Sequence, residues 1–202
     1  MKNRYSKGTD DRILDAAFHL FLEQGYEATG IRAICSAAGV ELPSLYYYFG
    51  SKRGLFLTLA DRLRQPYDPA ALRYDSSRSE EAIDYLRVFF LFSVRYAISH
   101  LPETRFFLRY ALFPPEELKR EIEAYLEKIH LAKDEMIRPA MQACIRQGIV
   151  KSPIDQAMAT YWKFINNNTF DIVFFREVPQ YEELMHLWST FLRCRLSIEH
   201  DT

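Results

Sequence analysis

Apolar residues recur along this chain at the three- and four-residue steps of a helix, and no segment alternates as a strand does. The first stripe is Ile13, Ala16, Ala17, Leu20 and Phe21, opened by Thr9 or Asp10 as a cap and closed by Gly25. Thr29 can N-cap a short second helix with Ile31, Ile34, Ala37 and Ala38 on one face, and Gly39 sits where a left-handed residue would end it. After Val40, Pro43 suits the first turn of another short helix, in which Leu45 and Phe49 point one way while Ser44, Tyr46, Tyr47 and Tyr48 lie on the other faces. Ser51 then caps a fourth helix whose apolar face is Leu55, Phe56, Leu59 and Leu63. The middle pair is a helix-turn-helix pattern, whose second helix can enter a DNA major groove.

The segment 65–79 breaks this rhythm with Pro66, Pro69 and a Ser/Asp cluster, and reads as a joint between residues 1–64 and a second domain, 65–202. Beyond it, Ser79 to His100 becomes apolar all round at Val88 to Phe92, as a helix buried on several sides would. A segment from Pro102 to Phe113 follows. Pro114 and Pro115 then open a long helix with a seam of Leu118, Ile122, Tyr125, Ile129, Ala132 and Met136, which Pro139 should kink or divide. Gly148 and Pro153 mark a turn before two last helices, near Ile154 to Phe175 and Gln180 to Leu196. The prediction is an all-α fold of about nine or ten helices: a small N-terminal three-helix helix-turn-helix domain, then a larger helical bundle.

Composition changes this picture little. The 202 residues are 49% hydrophobic and 26% charged, ordinary for a soluble globule, and a net charge of -1 means that any phosphate-binding surface must be local. Basic residues do cluster around the motif: Lys2, Arg4, Lys7 and Arg12 before it, and Arg32, Lys52 and Arg53 within and after it. Residues 1–8 read as a polar arm, either frayed or touching DNA. Cys35, Cys144 and Cys194 are scattered, which fits a reduced, cytoplasmic setting without a metal site. No run is long enough to span a membrane. There is no nucleophile elbow, phosphate-cradling glycine loop or zinc-ligand cluster, so neither an enzyme nor a cofactor is expected.

The ordered set Gly25, Thr29, Ile34, Ala37, Gly39-Val40, Leu45-Tyr46, Phe49 and Lys52 resembles the DNA-binding segment of the TetR family of bacterial transcriptional regulators, from Asp10 to about Leu63. That resemblance implies a homodimer on a palindromic double-stranded operator, joined by pairing of the last two helices. It also implies DNA-facing roles for Thr29, Arg32, Leu42, Pro43, Ser44, Tyr46, Tyr47, Tyr48 and Lys52. Arg32 matches a base-reaching position, Pro43 and Ser44 face the groove, and Lys52 matches a lysine that holds a phosphate. The residues themselves leave alternatives open: Arg32 could pair with Glu27 or Glu41, and Lys52 could be a solvated lysine. The tyrosine hydroxyls can reach phosphate oxygens while their rings pack on sugars, and three consecutive tyrosines cannot all be core. Glu41 stands where the family commonly has serine, and Leu42 where it commonly has a polar residue, which leaves the next helix without a good capping side chain.

In the second domain, Phe89, Phe92, Tyr96, Phe106, Tyr110, Phe113, Met141, Trp162 and Phe164 exceed what a bundle of this size plainly requires. Either they are core, or with Asn166 as a polar handle they line a site for a small hydrophobic or aromatic effector. The functional expectation is a ligand-responsive repressor released by its effector; the alternative is a constitutive DNA-binding protein with an architectural or cell-division role.

Overall fold

The computed structural model describes residues 8–64, 74–75, 77–175 and 178–195, with the side chains of Ser79, Cys194 and Arg195 left aside. Among these residues there are nine α-helices and no strand. The predicted arm before residue 8 and most of the predicted joint, 65–73 and 76, lie outside the described residues.

Four helices form the N-terminal motif: α1 (Thr9–Gln24), α2 (Ile31–Ala38), α3 (Leu42–Phe49) and α4 (Lys52–Arg64). The turn between α2 and α3 is set by Gly39 at φ 63° and ψ 44°, whose left-handed backbone lets Val40 N–H reach the Cys35 carbonyl at 3.0 Å. Ser51 caps α4 as its side chain predicts, accepting from Gly54 N–H at 2.9 Å. Thr29 does not cap α2. That helix starts after Gly30 with no side-chain cap, and Thr29 is fully buried, donating to the carbonyls of Gly25 at 2.7 Å and Leu20 at 3.2 Å. On α2 the buried residues are Ile34, Cys35 and Ala38, while Ala37 faces water.

Five helices follow: α5 (Ala82–Ser99), α6 (Leu101–Leu112), α7 (Lys119–Arg146), α8 (Ile154–Phe175) and α9 (Tyr181–Arg195). Pro139 does not divide α7. It lies on the exposed side, as does Glu135, so the carbonyl it leaves without a helical donor can be served by water. Ala132, expected on the seam, is exposed; the inward row passes from Ile129 to Lys133, Ile137, Ala140 and Met141. An α-helix turns at 3.6 residues, so a row read at seven-residue repeats drifts off one face within a few turns.

The chain forms two compact units. The first comprises the N-terminal segment through α4 together with Arg105–Glu123, which the sequence division at residue 64 puts in the second domain. Phe56 accounts for the grouping: it stacks on Phe106 at 5.5 Å and meets Tyr110 edge-on at 4.8 Å, with Phe21 and Tyr26 at 5.7 and 5.4 Å on its other sides. A motif of about sixty residues has little apolar surface to bury, and this second segment supplies the missing cover.

The second unit has its own core, which includes Phe89, Phe90, Val94, Ile137, Met141, Tyr161, Trp162 and Trp188. Phe164 stacks on Phe191 at 4.2 Å. The polar edges of the large aromatics are satisfied: Tyr161 hydroxyl donates to the Leu86 carbonyl at 2.6 Å, and Trp162 Nε1 donates to Asp134 at 3.0 Å. Burial works against ionisation of Asp134, but hydrogen bonds from Arg138 and Trp162 outweigh it and hold the carboxyl below its usual range. No helix among the described residues is long and apolar enough to cross a membrane.

Candidate nucleic-acid interface

The surface of α3 departs from the ordinary rule that aromatics are covered. Only Leu45 is fully buried and Phe49 partly so; Tyr46, Tyr47 and Tyr48 are exposed, Tyr47 to 83%. Pro43, Tyr46 and Tyr47 stand at i, i+3 and i+4 and form one solvent-facing row. Tyr48 packs edge-on against Tyr47 at 5.1 Å. Ser44 and Leu42 are half-buried beside this row, and Glu41 caps α3 through its backbone without a side-chain bond.

Two cations lie on the helices before and after α3. Arg32, exposed on α2, pairs with neither Glu27 nor Glu41 among the described residues, so its guanidinium stays available. Lys52 opens α4 two residues beyond Gly50. Its ammonium lies 4.3 Å from the centre of the Tyr26 ring and 3.5 Å from the Glu27 carbonyl. Burial lowers the Lys52 pKa, opposed by the nearby carboxylates of Glu117 and Glu27.

A profile of the bacterial regulatory proteins of the tetR family matches residues 13–59. Residues 13–59 thus carry a helix-turn-helix segment similar to that of the tetR family. Over 52 residues it is 44% identical to the HTH-type transcriptional repressor ComR of Escherichia coli, and over 83 residues 34% identical to the repressor NicS of Pseudomonas putida. These matches cover 26% and 40% of this chain, and 25% and 39% of those relatives. In fold the likeness extends much further. The TetR regulator PfmR of Thermus thermophilus superposes with a TM-score of 0.67 at 22% identity, covering 93% of this chain and 97% of that one.

Within this fold, the nine residues expected at DNA separate by position. Arg32, Pro43, Tyr46, Tyr47 and Tyr48 are exposed; Leu42, Ser44 and Lys52 are half-buried; Thr29 is inside and its hydroxyl is consumed at the end of α1. Thr29 is therefore a structural residue. Four others lie beside the site, of which only Arg53 stood out in the sequence, as part of the basic cluster. Tyr26 supplies the ring under Lys52 and donates its hydroxyl to Glu117, and Arg53 pairs with Glu121. Glu117 is 91 residues from Tyr26, beyond any local pattern. Burial first, and then the Glu117 carboxylate, push the Tyr26 phenol well above its usual range.

The residues expected to line an effector site are divided between the two units. Phe106 and Tyr110 fill the core of the first unit, while Phe113 is 76% exposed and Asn166 is exposed on α8. Phe89, Met141 and Trp162 are buried in the second unit, and Phe92 and Tyr96 are half-buried on α5. His100 stacks on Tyr96 at 4.3 Å, and His130 meets the Trp162 ring at 5.8 Å. Of the three asparagines, Asn168 donates to its own helix at the Phe164 carbonyl, 2.7 Å away, while Asn166 and Asn167 face outward.

Proposed function

We propose that this chain is a sequence-specific DNA-binding transcriptional regulator of the cytoplasm, a repressor that acts as a homodimer on a palindromic operator and is released by a small hydrophobic or aromatic effector. The observation that carries the DNA reading is the exposed row Pro43, Tyr46 and Tyr47 on α3, with Lys52 at the start of the next helix, in the segment that matches the tetR profile. Hydroxyls and an ammonium of this kind bind phosphates and set register, while Arg32 and the α3 row read base edges; an arginine on guanine is worth about 1–3 kcal/mol of discrimination.

Dimerisation is supported by apolar side chains left uncovered on the last two helices, Phe170 and Phe174 on α8 and Leu187 on α9. One recognition helix reads only a few base pairs, so two held at a fixed spacing provide the specificity. The effector reading rests on Phe89, Phe92, Tyr96, Met141 and Trp162 of the second unit. Release then requires the effector to prefer the form with the recognition helices wrongly spaced, by roughly 1–3 kcal/mol.

The test is selection of duplexes from a random library by the full chain, followed by titration of the enriched sequence at several salt concentrations. A two-fold symmetric site bound with a strong salt dependence supports the proposal. Failure to enrich any sequence, or affinity indifferent to salt, refutes it.

A further inference from the structure

Lys52 does not stand free at the start of α4. Its ammonium is seated over the Tyr26 ring, 4.3 Å from the centre, and a cation in that position is held by the negative face of the aromatic system. The ring is itself fixed. Phe21 and Phe56 pack on it at 5.4 Å each, and its hydroxyl donates to the Glu117 carboxylate. Donation to a carboxylate also polarises the O–H of a phenol that stays protonated, which adds electron density to the ring face and strengthens the cation seat. Glu117 is exposed but lies in the short 3-10 turn Glu116–Leu118, whose Leu118 is fully buried and fixes the turn.

We propose that Tyr26 and Glu117 are positioning residues for the phosphate contact of Lys52: the turn that opens α7 fixes the phenol, and the phenol fixes the ammonium. This rests on the DNA-binding reading above and adds to it the residues that decide where the phosphate-binding charge is presented. An ammonium held in place loses less freedom on meeting a phosphate than a lysine swinging in water, so the seat favours binding without touching DNA.

The test uses the full chain and the enriched duplex, read by fluorescence anisotropy across a salt series, with Tyr26→Phe, Glu117→Gln, their combination, and each in a Lys52→Ala background. Tyr26→Phe keeps the ring and removes only the hydroxyl; Glu117→Gln leaves the aromatic core untouched and serves if Tyr26→Phe is poorly folded. Each variant is expected to weaken binding about three- to tenfold, the pair no more than either alone, and to flatten the slope of log affinity against log salt by up to about 0.9 per recognition unit. In the Lys52→Ala background neither should have any effect. Unchanged affinity in the single variants overturns the proposal, and so does a loss that persists without Lys52, because that would be general destabilisation. If the unaltered chain itself fails to bind, the DNA reading falls and this inference with it; if it binds normally and the variants match it, this inference alone falls.

Discussion

The hydroxyl of Tyr110 donates to the carbonyl oxygen of Phe21 at 2.9 Å, a second donor to an acceptor that the Gly25 N–H also meets at 3.1 Å where α1 ends. Arg109 donates to the next carbonyl, that of Leu22, at 2.9 Å, so two neighbouring residues of α6 secure the end of a helix some ninety positions earlier. Burial pushes the Tyr110 phenol up to about 12, which keeps it a donor across the working pH range.

Tyr110→Phe is expected to lower stability by about 1 kcal/mol, the net worth of one hydrogen bond, and Tyr110→Ala by about 3–5 kcal/mol, because a large aromatic is then missing beside Phe56. Urea denaturation followed by circular dichroism measures both. A fragment ending at Arg64 should melt well below the intact first unit, since it leaves Phe56 without Phe106 and Tyr110.

Gly25→Ala should be more damaging than its position at a helix end suggests. Gly25 has φ 87°, where an L side chain is strained, and a Cβ there would stand 2.6 Å from the Arg109 guanidinium. The expected loss is about 1–2 kcal/mol, of which Arg109→Ala in the same chain recovers only the part owed to crowding. Thermal melts of the two single variants and the double variant separate the contributions.

Lys133 should make stability rise with pH. Burial on the inward row of α7 lowers its pKa to about 8, against roughly 10.4 in an unfolded chain. Between those values the unfolded chain holds a proton that the folded chain has shed, so folding becomes more favourable as pH rises through this window. Cys144 opposes it above about pH 9, because burial pushes that thiol up to about 12 in the folded state. The comparison is therefore between the native chain and Lys133→Met. The variant should melt a few degrees higher at pH 7, from about 1–2 kcal/mol after discounting for the surface Lys133 keeps in water, and the advantage should shrink toward pH 10.

Thr29→Val and Tyr47→Ala should separate folding from DNA contact. Thr29→Val removes a buried donor that serves Gly25 and Leu20, so its melting temperature should fall while the salt slope of binding to the enriched duplex stays unchanged. Tyr47→Ala removes an exposed ring, so its melting temperature should hold while affinity falls about five- to tenfold. Anisotropy and thermal melts on both proteins check the contrast.

Phe174→Glu on the exposed face of α8 should give a monomer with an intact fold. Sedimentation velocity at micromolar concentration should show half the native mass with an unchanged helical spectrum. If the native chain is itself monomeric at that concentration, the dimer proposal is wrong.

The helices, the Gly39 turn, the Ser51 cap and the exposed tyrosines were legible in the sequence because each depends on residues a few positions apart: a periodicity, a glycine at positive φ, a hydroxyl three residues before an amide. Thr29 was legible as a marker but not in its role, since a hydroxyl at a helix boundary can serve the helix ahead or the one behind, and only the packing of α1 against α2 decided between them. Phe106 and Tyr110 are apolar in any reading; which of two cores they fill depends on contacts with Phe56 and Phe21, some fifty and ninety residues distant. The same holds for Glu117 as the acceptor for the Tyr26 hydroxyl and for Lys133 on the inward row of α7 where Ala132 was expected. Sequence by itself determined the local elements, whose energetics are short-ranged. Only the tertiary structure decided which distant side chains complete them, because loop closure carries no signature in the residues that it brings together.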